Sequence, residues 1–327
     1  MEPMVPQPFA AVQPAWEWTV RHLFRPFRLE RWLVLGFLCF LQTCAGIGFG
    51  GGSVGFQVPT PPFGGPSGSA QRESEAPAPA SPAEELREVE DWLRRHLGLI
   101  VAVAVAGALS VLALIVLFQW LGSRAVFCYL DALLTGRDEV ARPWREHAAL
   151  AASFFRARLL LALAAVAGAL GIVVPIVLIV IGVVRRQVES GGMRELLPIL
   201  IAIPAVLLWV AVLVAFLAAC GLVDLFLYDF VAPLQYLRRI RCGAACRAAW
   251  ALVRAQPAAF LLYLVLKLLL AMAMGMAAFA AMCLTCCCAA LPFFGQVILQ
   301  PLHAFHRLLP LHFLRQFGRE FDLLAQS

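Results

Sequence analysis

Asparagine is absent from this chain of 327 residues, and lysine occurs once, as Lys267. Charged residues make up only 14% of the sequence, where soluble domains carry roughly 25%. Without asparagine there is no acceptor for N-glycosylation. So little charge excludes an ordinary soluble globule. The arginine-for-lysine bias, with abundant Ala, Gly and Pro, reads as the imprint of a GC-rich, bacterial genome. No nucleophile elbow, phosphate loop, HExxH or dinucleotide fingerprint occurs. The glycine run at 46–52 follows no strand and opens no helix, so it is a span end feeding a linker. The first 15 residues are proline-rich and lack an apolar core, so no cleavable leader is expected. The first apolar run is expected to act as an uncleaved anchor.

Hydrophobic residues, by contrast, reach 62%. They gather in runs long enough for membrane helices, which need about 20 residues, and too long for barrel strands. The expected fold is all-α: a polytopic integral membrane protein, one membrane domain over 1–327, with six transmembrane helices. The spans fall at 32–50, within an acidic juxtamembrane helix running into the membrane (84–121), and at 158–184, 196–223, 258–284 and 288–309. A Gly/Pro/Ser-rich extracytoplasmic loop at 51–83 has linker composition. Residues 310–327 form a cytoplasmic tail. Arginine orients the bundle. Eighteen arginines lie in segments on the side of both termini and seven on the other, which places both termini in the cytoplasm of a bacterial inner membrane. The net charge of +6 therefore points to anionic headgroups on the cytoplasmic face, not to nucleic acid.

Three cytoplasmic segments repeat one layout: tryptophan in an amphipathic stretch, a break, phenylalanine, then a span. They centre on Trp16 and Trp18, on Trp144, and on Trp250. The breaks fall near Pro26, Ser153 and Pro257. Three interfacial helices are expected, at 16–31, 137–157 and 240–256, lying in the headgroup plane.

Several segments carry a resemblance. They are Phe118 to Asp131 with Gly136-Arg137-Asp138-Glu139 and Pro143-Trp144, Asp229 to Leu237, Cys286 to Gly295, and Leu311 to Asp322. Over these the chain resembles an uncharacterised family of bacterial multi-pass membrane proteins. The family is similar in architecture to the membrane domain attached to some glycerophosphodiester phosphodiesterases. The resemblance implies no activity, and no catalytic residues carry over.

Four groups of residues have chemical potential. Cys283, Cys286, Cys287 and Cys288 form a C-x-x-C cluster whose readings are packing of small apolar side chains, a disulfide, or a weak metal site. Cys242 and Cys246 are an i,i+4 pair beside arginines. Gln296, Gln300, His303 and Arg307 recur at helical spacing and put a polar stripe on one face of the sixth span. The stripe is either interhelical glue or a path for a solute. Asp131, Asp138 and Glu139 lie among arginines, where ion pairing is the simpler account. Lys267 itself lies about ten residues into the fifth span, so roughly 15 Å deep. By depth its expected counter-ion is Asp224. With no catalytic set and no cofactor signature, the expected function is a non-enzymatic protein that organises lipid or protein partners. The alternative is a transporter using Lys267, Gln296 and Gln300. A membrane enzyme or redox protein using the cysteine cluster ranks third.

Overall fold

The computed structural model describes residues 6–45, 82–137, 139–189, 196–285 and 292–326. The described residues are all-α, with an isolated bridge between Phe24 and Phe27 as the one β-type pairing among them. The helices in chain order are α1 (Val12–Phe24), α2 (Leu29–Ala45), α3 (Pro82–Thr135), α4 (Ala141–Glu146), α5 (Ala148–Glu189) and α6 (Leu196–Phe226). A π-helical turn, Leu227–Val231, leads into α7 (Ala232–Arg238), followed by α8 (Cys242–Ala255), α9 (Pro257–Leu284), α10 (Pro292–Ile298) and α11 (Gln300–Arg315). Short 3-10 turns precede α1 and follow α11.

Two units can be separated: Gln57–Leu117, and the rest of the chain. The described part of the former is the first portion of α3, whose apolar side chains from Leu97 to Leu117 are largely exposed. The other unit contains the core. There α5 packs along α6, α2 along α10, and α1 along α11.

Four helical stretches are long and apolar enough to cross a membrane: Arg95–Thr135, Ala148–Val183, Ile203–Arg238 and Pro257–Leu284. The most apolar part of each of the first two has no buried residue, and that of the last is only 28% buried. Apolar helices that leave their surface uncovered need a hydrocarbon solvent, which is the signature of a membrane protein.

The remaining apolar runs take other forms. The run expected as a first span appears as the 17 residues of α2, with residues 46–50 outside the described set. The run at 288–309 is split at Leu299 into α10 and α11, and α11 continues to Arg315, well into the expected tail. Pro301 is the local cause of the split, because a proline in the first turn of α11 supplies no N–H to the helix before it.

Two of the three tryptophan segments differ from the expected layout. The apolar face of α1 (Ala15, Thr19 and Leu23) is buried in the protein, while Trp16 is exposed. Around Trp144 the break falls at His147, between α4 and α5, and the chain then runs without interruption through Ser153 and Phe154 into the span. In the third segment the break falls where expected: α8 ends at Ala255, and Pro257 opens α9.

Glycine permits close approach of α2 to its neighbours at Gly36 and Gly122. A Cβ at Gly36 would stand 2.5 Å from Val297 Cγ2, fixing the approach of α2 to α10. A Cβ at Gly122 would overlap Ala45 and reach 3.0 Å from the Leu41 carbonyl. Small residues let membrane helices pack backbone to backbone where hydrophobic driving force is absent.

Candidate functional site: a buried polar core around the central helix

The most polar stretch of the apolar runs forms, among the described residues, the most enclosed helix. Every residue of α11 from His303 to Leu314 is buried, although the segment carries His303, His306, Arg307 and His312. A helix buried all round is ordinarily apolar, so these groups require partners inside the protein.

Lys267 on α9 is 3% exposed. Its Nζ lies 2.8 Å from Asp229 Oδ2. It also donates to the His306 carbonyl at 3.1 Å and to the Tyr263 hydroxyl at 3.4 Å. Tyr263 in turn donates to the same Asp229 oxygen at 2.8 Å. Sequence explains one of these contacts. Pro310 has no N–H, so the His306 carbonyl four residues earlier loses its partner within α11. The lysine supplies the missing donor.

The same device appears on the facing element. In the π-helical turn the Ala232 N–H bonds the Leu227 carbonyl, five residues back. The next donor along would be Pro233, which has none. The Tyr228 carbonyl is therefore released from the helix ladder, and Arg307 Nη1 donates to it at 2.7 Å. The Arg307 guanidinium stacks 3.8 Å above the Tyr228 ring. A cation and a proline-freed carbonyl thus join α9 to α11, and α11 to the π-turn.

The expected counter-ion, Asp224, does not meet Lys267. It forms a buried bidentate pair with Arg158, at 2.9 Å to Nε and 3.3 Å to Nη2. The counter-ion of Lys267 is Asp229, five residues on and displaced by the π-turn. Arg158, in the first third of α5, takes Asp224 instead.

The stripe is assembled, and its members bond sideways. Gln296 accepts from the Cys39 thiol at 3.2 Å. Gln300 donates to the Tyr129 hydroxyl at 2.8 Å. The Tyr228 hydroxyl donates to Gln42 Oε1, and Gln42 donates to the Leu38 carbonyl at 3.1 Å. His303 is buried beside them, and Arg307 interacts electrostatically with both the Tyr129–Tyr228 side and the Lys267 side. Lys267 and the stripe therefore meet at Arg307.

A second, partly buried cluster joins α3, α4, α5 and α7, with Arg239 exposed at its edge. Arg239 Nη1 donates to His147 Nδ1 at 2.8 Å, which leaves Nε2 to donate to Asp131 Oδ1 at 3.4 Å. Tyr236 donates to the same oxygen at 2.7 Å. Arg239 reaches this position from a left-handed residue, φ 52°, at the end of α7. An Asp–His contact suggests a general base. Here both ring nitrogens are committed, one to an arginine, so His147 has no nitrogen left for a substrate proton. Asp131 pairs with His147 and Tyr236 rather than with the flanking arginines, and Asp138 lies outside the described residues.

Cys283 is exposed, and Cys286, Cys287 and Cys288 lie outside the described residues. Among the described residues no group of three or more His, Cys, Asp or Glu is placed to hold a metal. Cys242 and Cys246 stand with sulfurs 3.9 Å apart on α8. Hydrogen bonding between them pushes Cys246 down to about 7 and Cys242 well above the ordinary thiol range.

Sequence reasoning overlooked the tyrosines. The chain has 23 phenylalanines and four tyrosines. All four tyrosine hydroxyls meet a polar side chain of the core: Tyr129 with Gln300, Tyr228 with Gln42, Tyr236 with Asp131, and Tyr263 with Asp229. In a chain that otherwise uses phenylalanine, each tyrosine marks a place where a hydroxyl is required.

No curated protein and no solved structure matches the chain. A model of a family of unknown function, DUF7544, matches residues 7–323, nearly the whole sequence. The chain therefore belongs to the DUF7544 family.

Proposed function

We propose that this is a non-enzymatic, six-span protein of a bacterial inner membrane, with both termini in the cytoplasm, that organises anionic lipid and protein partners. The reading takes α2 and the α10–α11 pair as spans beside the four long apolar helices, with the tail beginning near Pro310. The observation that carries it is the closure of Lys267 by Asp229, Tyr263 and the His306 carbonyl inside a packed core. A lysine serving a transport path must exchange partners with solute or water, whereas this one is held by three protein groups. Its chemistry serves to join helices. In the Asp131–His147–Arg239 set both nitrogens of the His147 ring are committed to protein groups, which argues against its use as a general base.

What remains open to partners is the basic cytoplasmic face. Arg21, Arg25 and Arg28 are exposed beside the exposed rings of Phe24 and Phe27. Exposed apolar rings next to arginines suit an anionic headgroup layer.

Flotation of the purified chain with vesicles tests this. A variant with Arg21, Arg25 and Arg28 replaced by glutamine, reconstituted in nanodiscs, should lose recruitment of phosphatidylglycerol vesicles relative to the unaltered protein. Each arginine near a charged surface contributes on the order of 1 kcal/mol, so the loss should exceed about tenfold. Equal flotation by the two proteins rules the reading out.

A further inference from the structure

We propose that Arg307 is the anchor of a buried oxyanion site, which takes a phosphate group through one edge of its guanidinium. The site is independent of the role proposed above, because it rests on the charge and valence of the core alone.

Three observations converge on it. Arg307 is 4% exposed and cannot shed its charge, since a guanidinium stays protonated in proteins. The other buried charges around it cancel in pairs: Lys267 against Asp229, and Arg158 against Asp224. His303 and His306 add no negative charge. Among the described residues the Arg307 charge is left without a carboxylate, and a buried, uncompensated charge is costly.

The unused valences have a definite shape. Nη1 is taken by the Tyr228 carbonyl, and the ring of Tyr228 covers one face. Nε and Nη2 find no hydrogen-bond partner among the described residues. These two nitrogens form a single edge of the guanidinium, with parallel N–H bonds. That edge matches two oxygens of one phosphate or carboxylate group. His303, one turn earlier on the same face of α11, also has an unpartnered ring nitrogen, Nε2. As the N–H tautomer it supplies a third donor. Gln300 Oε1 and Asp229 Oδ1 are further buried acceptors of the polar core without a hydrogen-bond partner. They favour a protonated oxyanion, a hydrogen phosphate or a phosphate monoester, which can donate as well as accept. Phosphate therefore fits better than sulfate, which carries no proton at neutral pH.

The source is either free phosphate or a lipid headgroup, and the test separates the two. The full-length protein is placed in nanodiscs of a phosphate-free galactolipid. Its thermal midpoint is read with inorganic phosphate, with sulfate, with chloride at equal ionic strength, and with added phosphatidic acid. A rise with inorganic phosphate that is absent in Arg307→Gln identifies a free oxyanion. A rise confined to phosphatidic acid, again absent in Arg307→Gln, identifies a headgroup. Arg307→Lys keeps the charge but loses the paired edge, and should bind phosphate about tenfold more weakly than the native protein. Should Arg307→Gln fail to fold, phosphorus-31 line broadening on the unaltered protein decides. Broadening of the inorganic phosphate signal that excess arsenate, a phosphate mimic, reverses supports the site. No midpoint rise and no broadening, or an equal rise in Arg307→Gln, overturns it.

Discussion

Lys267 and Asp229 show how a single pair of residues sets the character of the core. Removing one partner strands the other charge where water cannot reach it, at a cost of about 3–5 kcal/mol. Lys267→Met and Asp229→Asn should each lower the unfolding midpoint in detergent by that order. The double variant should lose less than the sum, because with both charges gone neither is left buried without its partner. Asp224→Asn with Lys267→Met should instead be additive within about 0.5 kcal/mol, since Asp224 belongs to Arg158. A coupling between Asp224 and Lys267 would contradict the assigned pairs. At Cys246 the expectation concerns pH. Its thiol is held at about 7 by the Cys242 sulfur, so alkylation by a maleimide should rise steeply between about pH 6 and 8. In Cys242→Ala that rise should move to higher pH. An unchanged profile would show that the sulfur contact does not govern the thiolate.

At the scale of the element, irregularities do the joining. Pro310 and Pro233 each release a carbonyl, and a cation on a neighbouring helix takes each one. Gly36 and Gly122 allow α2 to lie against its neighbours. Gly122→Val should lower stability by about 1–3 kcal/mol, since Ala45 and the Leu41 backbone cannot yield as a flexible side chain would. Gly107→Val, where a Cβ meets nothing within 4 Å, should be tolerated. Equal thermal midpoints for the two variants would refute the close contact. These elements also mark how far sequence reading reaches. The apolar runs for α3, α5, α6 and α9 are legible because hydropathy acts over some 20 residues. The Gln296–Arg307 stripe is legible because helical spacing is fixed. The partner of Lys267 is not. Depth along a regular helix selects Asp224, but the π-turn before Pro233 breaks that regularity. It arises from a local missing N–H whose consequence depends on the helix packed against it. The roles of the four tyrosines are recoverable in principle from their rarity beside phenylalanine.

On the scale of the whole molecule, the distribution of polarity is inverted relative to a soluble protein. The long helices expose leucine and valine, and the central helix buries histidine, glutamine and arginine. Such an interior either conducts or clamps. The pairings around Lys267 and Arg158 favour a clamp. Ion and solute flux in proteoliposomes tests this most directly. The reconstituted protein should pass no more potassium, proton or phosphate than empty vesicles, and Lys267→Met should leave that unchanged. Saturable flux in the unaltered protein, abolished by Lys267→Met in a variant that still folds, would contradict the account.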